Sequence, residues 1–297
     1  MSRRTWFIGA LVATAMGVSA QPGLAGTVGV SNGRVVFVAT DQAPNNLRLT
    51  RRPGKIRVSD LAANVAAGPG CTAAGPHVVV CNAAQIRSAI VKMGPGADRL
   101  IVRAGLRLGM VEVQGGPGPD RIRSEGPRIR AFGGPGPDLI IGGPRADWLQ
   151  GGTGNDRLRS HGGPDILRGM PDDDLEVGGA GADLVLGGGG DDSLYGRTGN
   201  DVLRGATGED IIVDLHGTDR LYGGADPDYL NTNDGVTGDY ENAGAGPDYG
   251  CAASPFPGDV LVGCDQNAGP CCIIGKAPVS EVAFGMAVRR WIGGAAQ

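Results

Sequence analysis

A chain of 297 residues with 4% aromatic side chains does not build its core by ring burial. Its charge, −4 from 27 Lys+Arg against 31 Asp+Glu, excludes the basic face of a nucleic-acid binder. Gly (55) and Pro (20) make up about a quarter of the chain, which means disorder without a period and a repeat fold with one.

Residues 1–20 read as a secretion signal. Arg3 and Arg4 form a positive start, residues 6–18 are apolar but too short to span a bilayer, and Val18-Ser19-Ala20 is a small-x-small cleavage site. The mature chain is therefore expected to be secreted and to carry no transmembrane segment. Its six cysteines, Cys71, Cys81, Cys251, Cys264, Cys271 and Cys272, are an even set suited to an oxidising compartment. No Cys-x-x-Cys pair and no nearby His pair points to zinc. Cys71 and Cys81 bracket a Gly75-Pro76 turn and are expected to close a small disulfide loop, whereas the pairing of the other four is not legible.

Residues 21–114 read as β-rich. Residues 27–30 and 34–38 flank Asn32-Gly33, a strong hairpin signal, and residues 46–50 and 55–58 repeat the pattern across Pro53-Gly54. Residues 83–92 read as one short helix, and residues 101–102 and 110–113 return to strand.

From Gly115 the chain changes character. Residues 115–123 read Gly-Gly-Pro-Gly-Pro-Asp-Arg-Ile-Arg, and the same nonamer frame holds to residue 231. Its sixth position is Asp120, then Asp138, Asp147, Asp156, Asp165, Asp174, Asp183, Asp192, Asp201, Asp210, Asp219 and Asp228, with Ile129 the one interruption. The eighth position is aliphatic except at Ala131 and Glu176. A flexible Gly-rich linker has no need of such a frame. Gly at positions one, two and four permits positive φ, and positions seven to nine supply a short strand whose central side chain points inward.

Two nonamers then make one coil, and successive coils stack as parallel strands roughly 4.8 Å apart. Aspartates eighteen residues apart fall into two columns: Asp120, Asp138, Asp156, Asp174, Asp192, Asp210 and Asp228 in one, Asp147, Asp165, Asp183, Asp201 and Asp219 in the other. At an effective dielectric near 20, neighbouring carboxylates at that spacing repel by about 3.5 kcal/mol. Residues 115–231 hold 20 Asp+Glu against 11 Arg and no Lys, so basic side chains do not offset this. Cations between turns do, and carboxylate plus carbonyl oxygen in a flexible cage suits Ca²⁺ better than Zn²⁺ or Mg²⁺.

This nonamer resembles the Gly-Gly-x-Gly-x-Asp-x-U-x repeat (U, a large aliphatic) of RTX, or repeat-in-toxin, calcium-binding proteins. The resemblance covers residues 115–231 and extends weakly to 248, and residues 93–101 look like an isolated upstream copy out of frame. It implies an all-β fold: a parallel β-roll over residues 115–240, a small β-rich region over 21–114 before it, and a Cys-containing capping tail over 241–297. It also implies that the twelve sixth-position aspartates, together with turn carbonyls, hold several Ca²⁺ ions. The pattern departs at Arg145, Asp172 and Asp226, which replace the fourth-position Gly, and at Ser160-His161 and Asp214-Leu215, which replace the Gly pair.

Residues 280–292 read as a short amphipathic helix capping the open end. His77, His161 and His216 form no His-Glu-x-x-His, and no Gly-x-Ser-x-Gly elbow occurs, so no enzyme is expected. The expectation is a secreted calcium-binding β-roll with a structural, adhesive or cell-surface role, its partner a cell-envelope or polysaccharide surface. The competing reading is a polysaccharide-acting hydrolase or lyase carrying the repeats.

Overall fold

Each nonamer lays down one short strand, and alternate nonamers fall on opposite sheets. The computed structural model describes residues 24–232, 235–246, 248–252 and 260–262. These residues are all β, without a helix, and form two 13-stranded sheets. One sheet runs through Trp148–Thr153, Ile166–Pro171, Leu184–Gly189 and Val202–Thr207. The other runs through Arg157–Gly162, Leu175–Ala180, Ser193–Thr198 and Ile211–Val213. Every one of these pairings is parallel, with Leu149 beside Leu167, Val185 and Leu203, and Leu158 beside Glu176, Leu194 and Ile212. The fold is the expected parallel β-roll.

The core lies between the sheets. Because strand side chains alternate in direction, the eighth-position residue of each nonamer points inward, and Ile122, Ile140, Leu149, Leu158, Leu167, Val185, Leu194, Leu203, Ile212, Leu221 and Leu230 form one continuous buried column. With one aliphatic per nonamer the core is thin, so close backbone stacking carries more of the structure than side-chain volume.

The two N-terminal hairpins form as expected. Leu24–Ser31 and Arg34–Ala39 pair antiparallel around Asn32 (φ 49°) and Gly33 (φ 70°), the two positive values that a two-residue turn of this type requires. Asn46–Arg52 and Lys55–Asp60 pair the same way. Arg34–Ala39 and Asn46–Arg52 then take parallel partners in Ser88–Lys92 and Arg99–Val102, so both sheets continue unbroken into the repeats. Cys71 and Cys81 face each other across Cys71–Gly75 and Val78–Asn82 and are joined by a disulfide.

Two expectations are corrected. Residues 83–92 are not helical: Ser88–Lys92 is a strand hydrogen-bonded on both sides, to Arg34–Ala39 and Met110–Gln114. Ala89 and Val91 point inward with period two, and β-branched Ile90 and Val91 suit a strand flanked by two partners better than an isolated short helix. Residues 93–101 are not an isolated repeat either. Gly94 and Gly96 stack under Gly116 and Gly118 with positive φ, and Asp98 is bonded to Asp120. The step is 22 residues instead of 18, and the extra chain is taken up after Arg99–Val102, between the two sheets. The secretion signal, Cys264, Cys271, Cys272 and the capping helix of residues 280–292 lie outside the described residues, and Cys251 lies in the strand Tyr249–Ala252.

Coil stacking sets a steric requirement that one substitution tests. Gly152 has φ +141°, and a Cβ there would collide with the main-chain carbonyl of Gly134 one coil below; Gly54, at φ +67°, has nothing within 4 Å of the same position. In urea unfolding, Gly152→Ala is expected to cost about 3 kcal/mol or more, against about 1 kcal/mol for Gly54→Ala, whose cost is backbone conformation alone. Equal costs would show that stacking does not demand the repeat glycines.

Candidate metal centre

The sixth-position aspartates sit where the chain turns from one sheet to the other, and each is pinned twice. Its carbonyl accepts a hydrogen bond from the strand one coil on, as Asp120 does from the Leu139 N–H (2.9 Å) and Asp156 from the Leu175 N–H (3.0 Å). Its Oδ1 accepts from the N–H of the aspartate one coil back. In the first column the Asp120 N–H donates to Asp138 (2.7 Å), Asp138 to Asp156 (2.7 Å), Asp156 to Asp174 (2.6 Å) and Asp174 to Asp192 (2.9 Å). The series ends with Asp192 to Asp210 (2.9 Å) and Asp210 to Asp228 (3.0 Å). In the second column the Ile129 N–H donates to Asp147 (2.7 Å), and the ladder continues through Asp165, Asp183, Asp201 and Asp219. All twelve aspartates expected from the frame are buried and stand in the two expected columns.

Three further aspartates extend the columns. Asp98 precedes Asp120 and in turn accepts from the Asn45 N–H (2.6 Å), so Asn45 closes the first column. Asp248 follows Asp228 and Asp239 follows Asp219, each after a step of 20 residues. Gly94 and Gly96 before Asp98 carried that signal in the sequence; the irregular steps hid the register.

The second carboxylate oxygen is what distinguishes these columns from ordinary turn capping. Oδ2 of Asp98, Asp120, Asp138, Asp156, Asp174, Asp183, Asp192, Asp210 and Asp228 is buried with no hydrogen-bond partner. Except at Asp98, whose unit begins with Met93, it faces the first-position glycine of its own nonamer. A Cβ added to Gly115 would meet Asp120 Oδ2 and the Gly133 carbonyl together; at Gly133 it would meet Asp138 Oδ2 and the Gly151 carbonyl, and at Gly178 Asp183 Oδ2 and the Gly196 carbonyl. At Gly115, Gly133, Gly178 and Gly223 one carboxylate oxygen and one carbonyl oxygen from the next coil therefore converge on the inner face of the glycine. An oxygen-only cradle built from charged and main-chain donors fits Ca²⁺ and lacks the nitrogen and sulfur donors of a zinc site.

Not every frame position keeps this form. Asp147 uses its Oδ2 to accept from the Gly143 N–H (2.6 Å), so its carboxylate is occupied by the chain at the turn where Arg145 replaces glycine. Asp172 and Asp226 occupy the fourth position with φ 80° and 76°, holding the left-handed conformation despite their side chains. Asp172 and Asp173 are exposed and accept from turn N–H groups of Gly154 (2.8 Å) and Asp191 (3.0 Å), outside the columns. His161, at the second position with φ 90°, is likewise off the columns.

Burial has a clear electrostatic consequence. Desolvation pushes Asp120 and Asp174 up to about 8, Asp138, Asp165, Asp192 and Asp228 to about 7, and Asp147, Asp156, Asp183 and Asp210 to about 6. The ladder N–H donors oppose the rise, and neighbouring aspartates add to it at Asp120, Asp138 and Asp174.

The family model for the RTX calcium-binding nonapeptide repeat (4 copies) matches residues 132–167, 177–212 and 216–236. No curated protein and no solved structure matches the chain.

Because folding raises these pKa values, the protonated side chains favour the folded state when no cation is present. Stability in chelator is therefore expected to be full below about pH 4, the ordinary aspartate range, and to fall as pH rises through 6 to 8. Thermal unfolding in chelator across pH 4 to 8 checks this, and a stability that rises with pH would contradict it.

Proposed function

We propose that this chain, an RTX-repeat calcium-binding β-roll, is an exported and non-enzymatic protein whose roll folds on Ca²⁺ and serves a structural or adhesive role at a cell-envelope or polysaccharide surface. The observation that carries the reading is the row of buried Oδ2 atoms without partners along the first column, joined by that of Asp183 in the second. A buried carboxylate lacking a partner is strongly unfavourable when charged. Asp120, Asp138, Asp156, Asp174, Asp183, Asp192, Asp201, Asp210 and Asp228, with turn carbonyls such as those of Gly133, Gly151 and Gly196, are the residues that would hold the ions. Bound there, Ca²⁺ supplies positive charge and accepts oxygen ligands from two consecutive coils.

The chain's own energetics point the same way. Ordering the backbone costs roughly 1–2 kcal/mol per residue, and each nonamer sets a single inward aliphatic against that cost. Cradles such as those at Gly115, Gly133 and Gly178 draw on two coils, so binding and stacking are coupled, as in other repeat solenoids. Extracellular modules bind Ca²⁺ with Kd of roughly 10⁻⁴–10⁻³ M, an affinity sufficient for an exported protein. Export is supported by the signal-like residues 1–20 and by the Cys71–Cys81 disulfide. Among the described residues no helix is long and apolar enough to cross a membrane.

Single substitutions within the frame test the assignment. Asp156→Ala and Asp192→Ala are each expected to raise the calcium concentration at half-saturation several-fold in calorimetric titration of the full chain. His161→Ala, a change at a turn off the columns, is expected to leave it unchanged. Equal effects from all three would mean that the columns are not where calcium binds.

A further inference from the structure

Two residues break the repeat pattern in the same chemical direction. Glu176 stands at an eighth position, between Leu158 and Leu194 in the aliphatic column. Asp214 stands at a first position, where the neighbouring nonamers have Gly196 and Gly205. Glu176 is 0% exposed and neither of its carboxylate oxygens has a hydrogen-bond partner. Asp214 is 1% exposed; its Oδ1 accepts from the Arg197 N–H (3.0 Å), and its carboxylate is set against that of Asp201, with no N–H meeting its Oδ2.

Both side chains enter a cradle of the kind described above. At Gly169 the inner face is met by Asp174 Oδ2 and Glu176 Oε1 together, so Glu176 takes the place that the next coil's carbonyl has elsewhere. At Gly196 it is met by Asp214 Oδ2 and Asp201 Oδ2, again two carboxylates in place of one carboxylate and one carbonyl. Carboxylate oxygens of Asp201, Asp214 and Asp219 all lie within 4.8 Å of one another. The charges bearing on Glu176 are Asp192, Asp174 and Asp210, and those on Asp214 are Asp219 and Asp201, so each group faces only more negative charge.

A third acid shows what a purely structural solution looks like. Glu241 follows Asp239 by two residues, as Glu176 follows Asp174, and it too is buried. Its Oε1 accepts from both the N–H and the hydroxyl of Thr232 (2.9 Å each). The chain has supplied Glu241 with two well-placed donors, whereas Glu176 has only the Gly169 main-chain N–H nearby, outside good hydrogen-bond geometry.

We infer that Glu176 and Asp214 each add a second carboxylate to one calcium position, Glu176 beside Asp174 in the first column and Asp214 beside Asp201 in the second. The inference rests on the calcium-binding reading given above and assigns unequal strength to the sites. Two carboxylates neutralise a divalent ion that a single one leaves half-compensated, and calcium affinity follows ligand charge. These two positions are therefore at least about tenfold tighter than the rest.

The test is calcium titration of the full chain by calorimetry, with a competing chelator to resolve the tight class. The comparison set is Glu176→Leu and Asp214→Gly, which restore the repeat's own residues, and the isosteric Glu176→Gln and Asp214→Asn. The wild type is expected to bind two ions in a tight class; each Leu or Gly substitution removes one of them, and the pair together removes both. The isosteric changes weaken the same ions by about tenfold while preserving shape. A tight class that survives Glu176→Leu and Asp214→Gly overturns the inference, as does a single uniform class of sites, and both leave the calcium-binding reading intact. Absence of any calcium binding overturns that reading as well.

Discussion

Along the first column from Asp120 to Asp228, and at Asp183 in the second, each aspartate divides its carboxyl group between two tasks, and the rest of the roll depends on that division. Oδ1 ties the turn to the coil before it through a main-chain N–H, fixing the vertical step. Oδ2 is left buried and bare beside a glycine, at Gly115, Gly133 and Gly223 together with a carbonyl from the coil after. The first task is satisfied by the polypeptide alone; the second is not. A fold that repeats this arrangement accumulates buried carboxylates with every turn it adds, and these are tolerated when protonated or when their charge is met from outside.

The glycines follow from the same geometry. At the first position a side chain would occupy the space into which Oδ2 and the carbonyl point, and at the second and fourth it would strike the coil below. The second-position requirement concerns backbone shape more than composition. His161, Met170, Arg197 and Ala206 all stand there with φ between 89° and 100°, held in a conformation that L side chains avoid because the coils on either side impose it. Neighbouring coils thus carry local strain that an isolated nonamer would not, which is why the unit of stability is the stack.

Much of this was legible in the sequence because the frame is strict. Nine-residue spacing gave the columns, the inward aliphatics and the oxygen chemistry, and Asn32-Gly33 gave the first hairpin. What escaped notice did so for identifiable reasons. Asp98, Asp239 and Asp248 lie at steps of 22 and 20 residues, so residues 93–101 read as an isolated copy and the three aspartates' places in the columns stay hidden although the turns still stack. Residues 83–92 lack the turn signals that bracket the other strands, and their strand character comes from partners on both sides, which local sequence does not display. Glu176 and Asp214 register in the sequence only as interruptions. Their convergence on Asp174 and Asp201 depends on which inner face each side chain reaches, and that requires the coils to be wound.

The account stands or falls on whether cation and roll are coupled. The direct measurement is far-UV circular dichroism of the full chain near pH 7.5, in chelator, then with millimolar Ca²⁺, and separately with millimolar Mg²⁺. The account predicts a largely disordered spectrum in chelator, a cooperative gain of strand signal with Ca²⁺, and little gain with Mg²⁺, whose octahedral demand a flexible oxygen cradle does not meet. A full strand signal already present in chelator, or one restored equally by Mg²⁺, would contradict it.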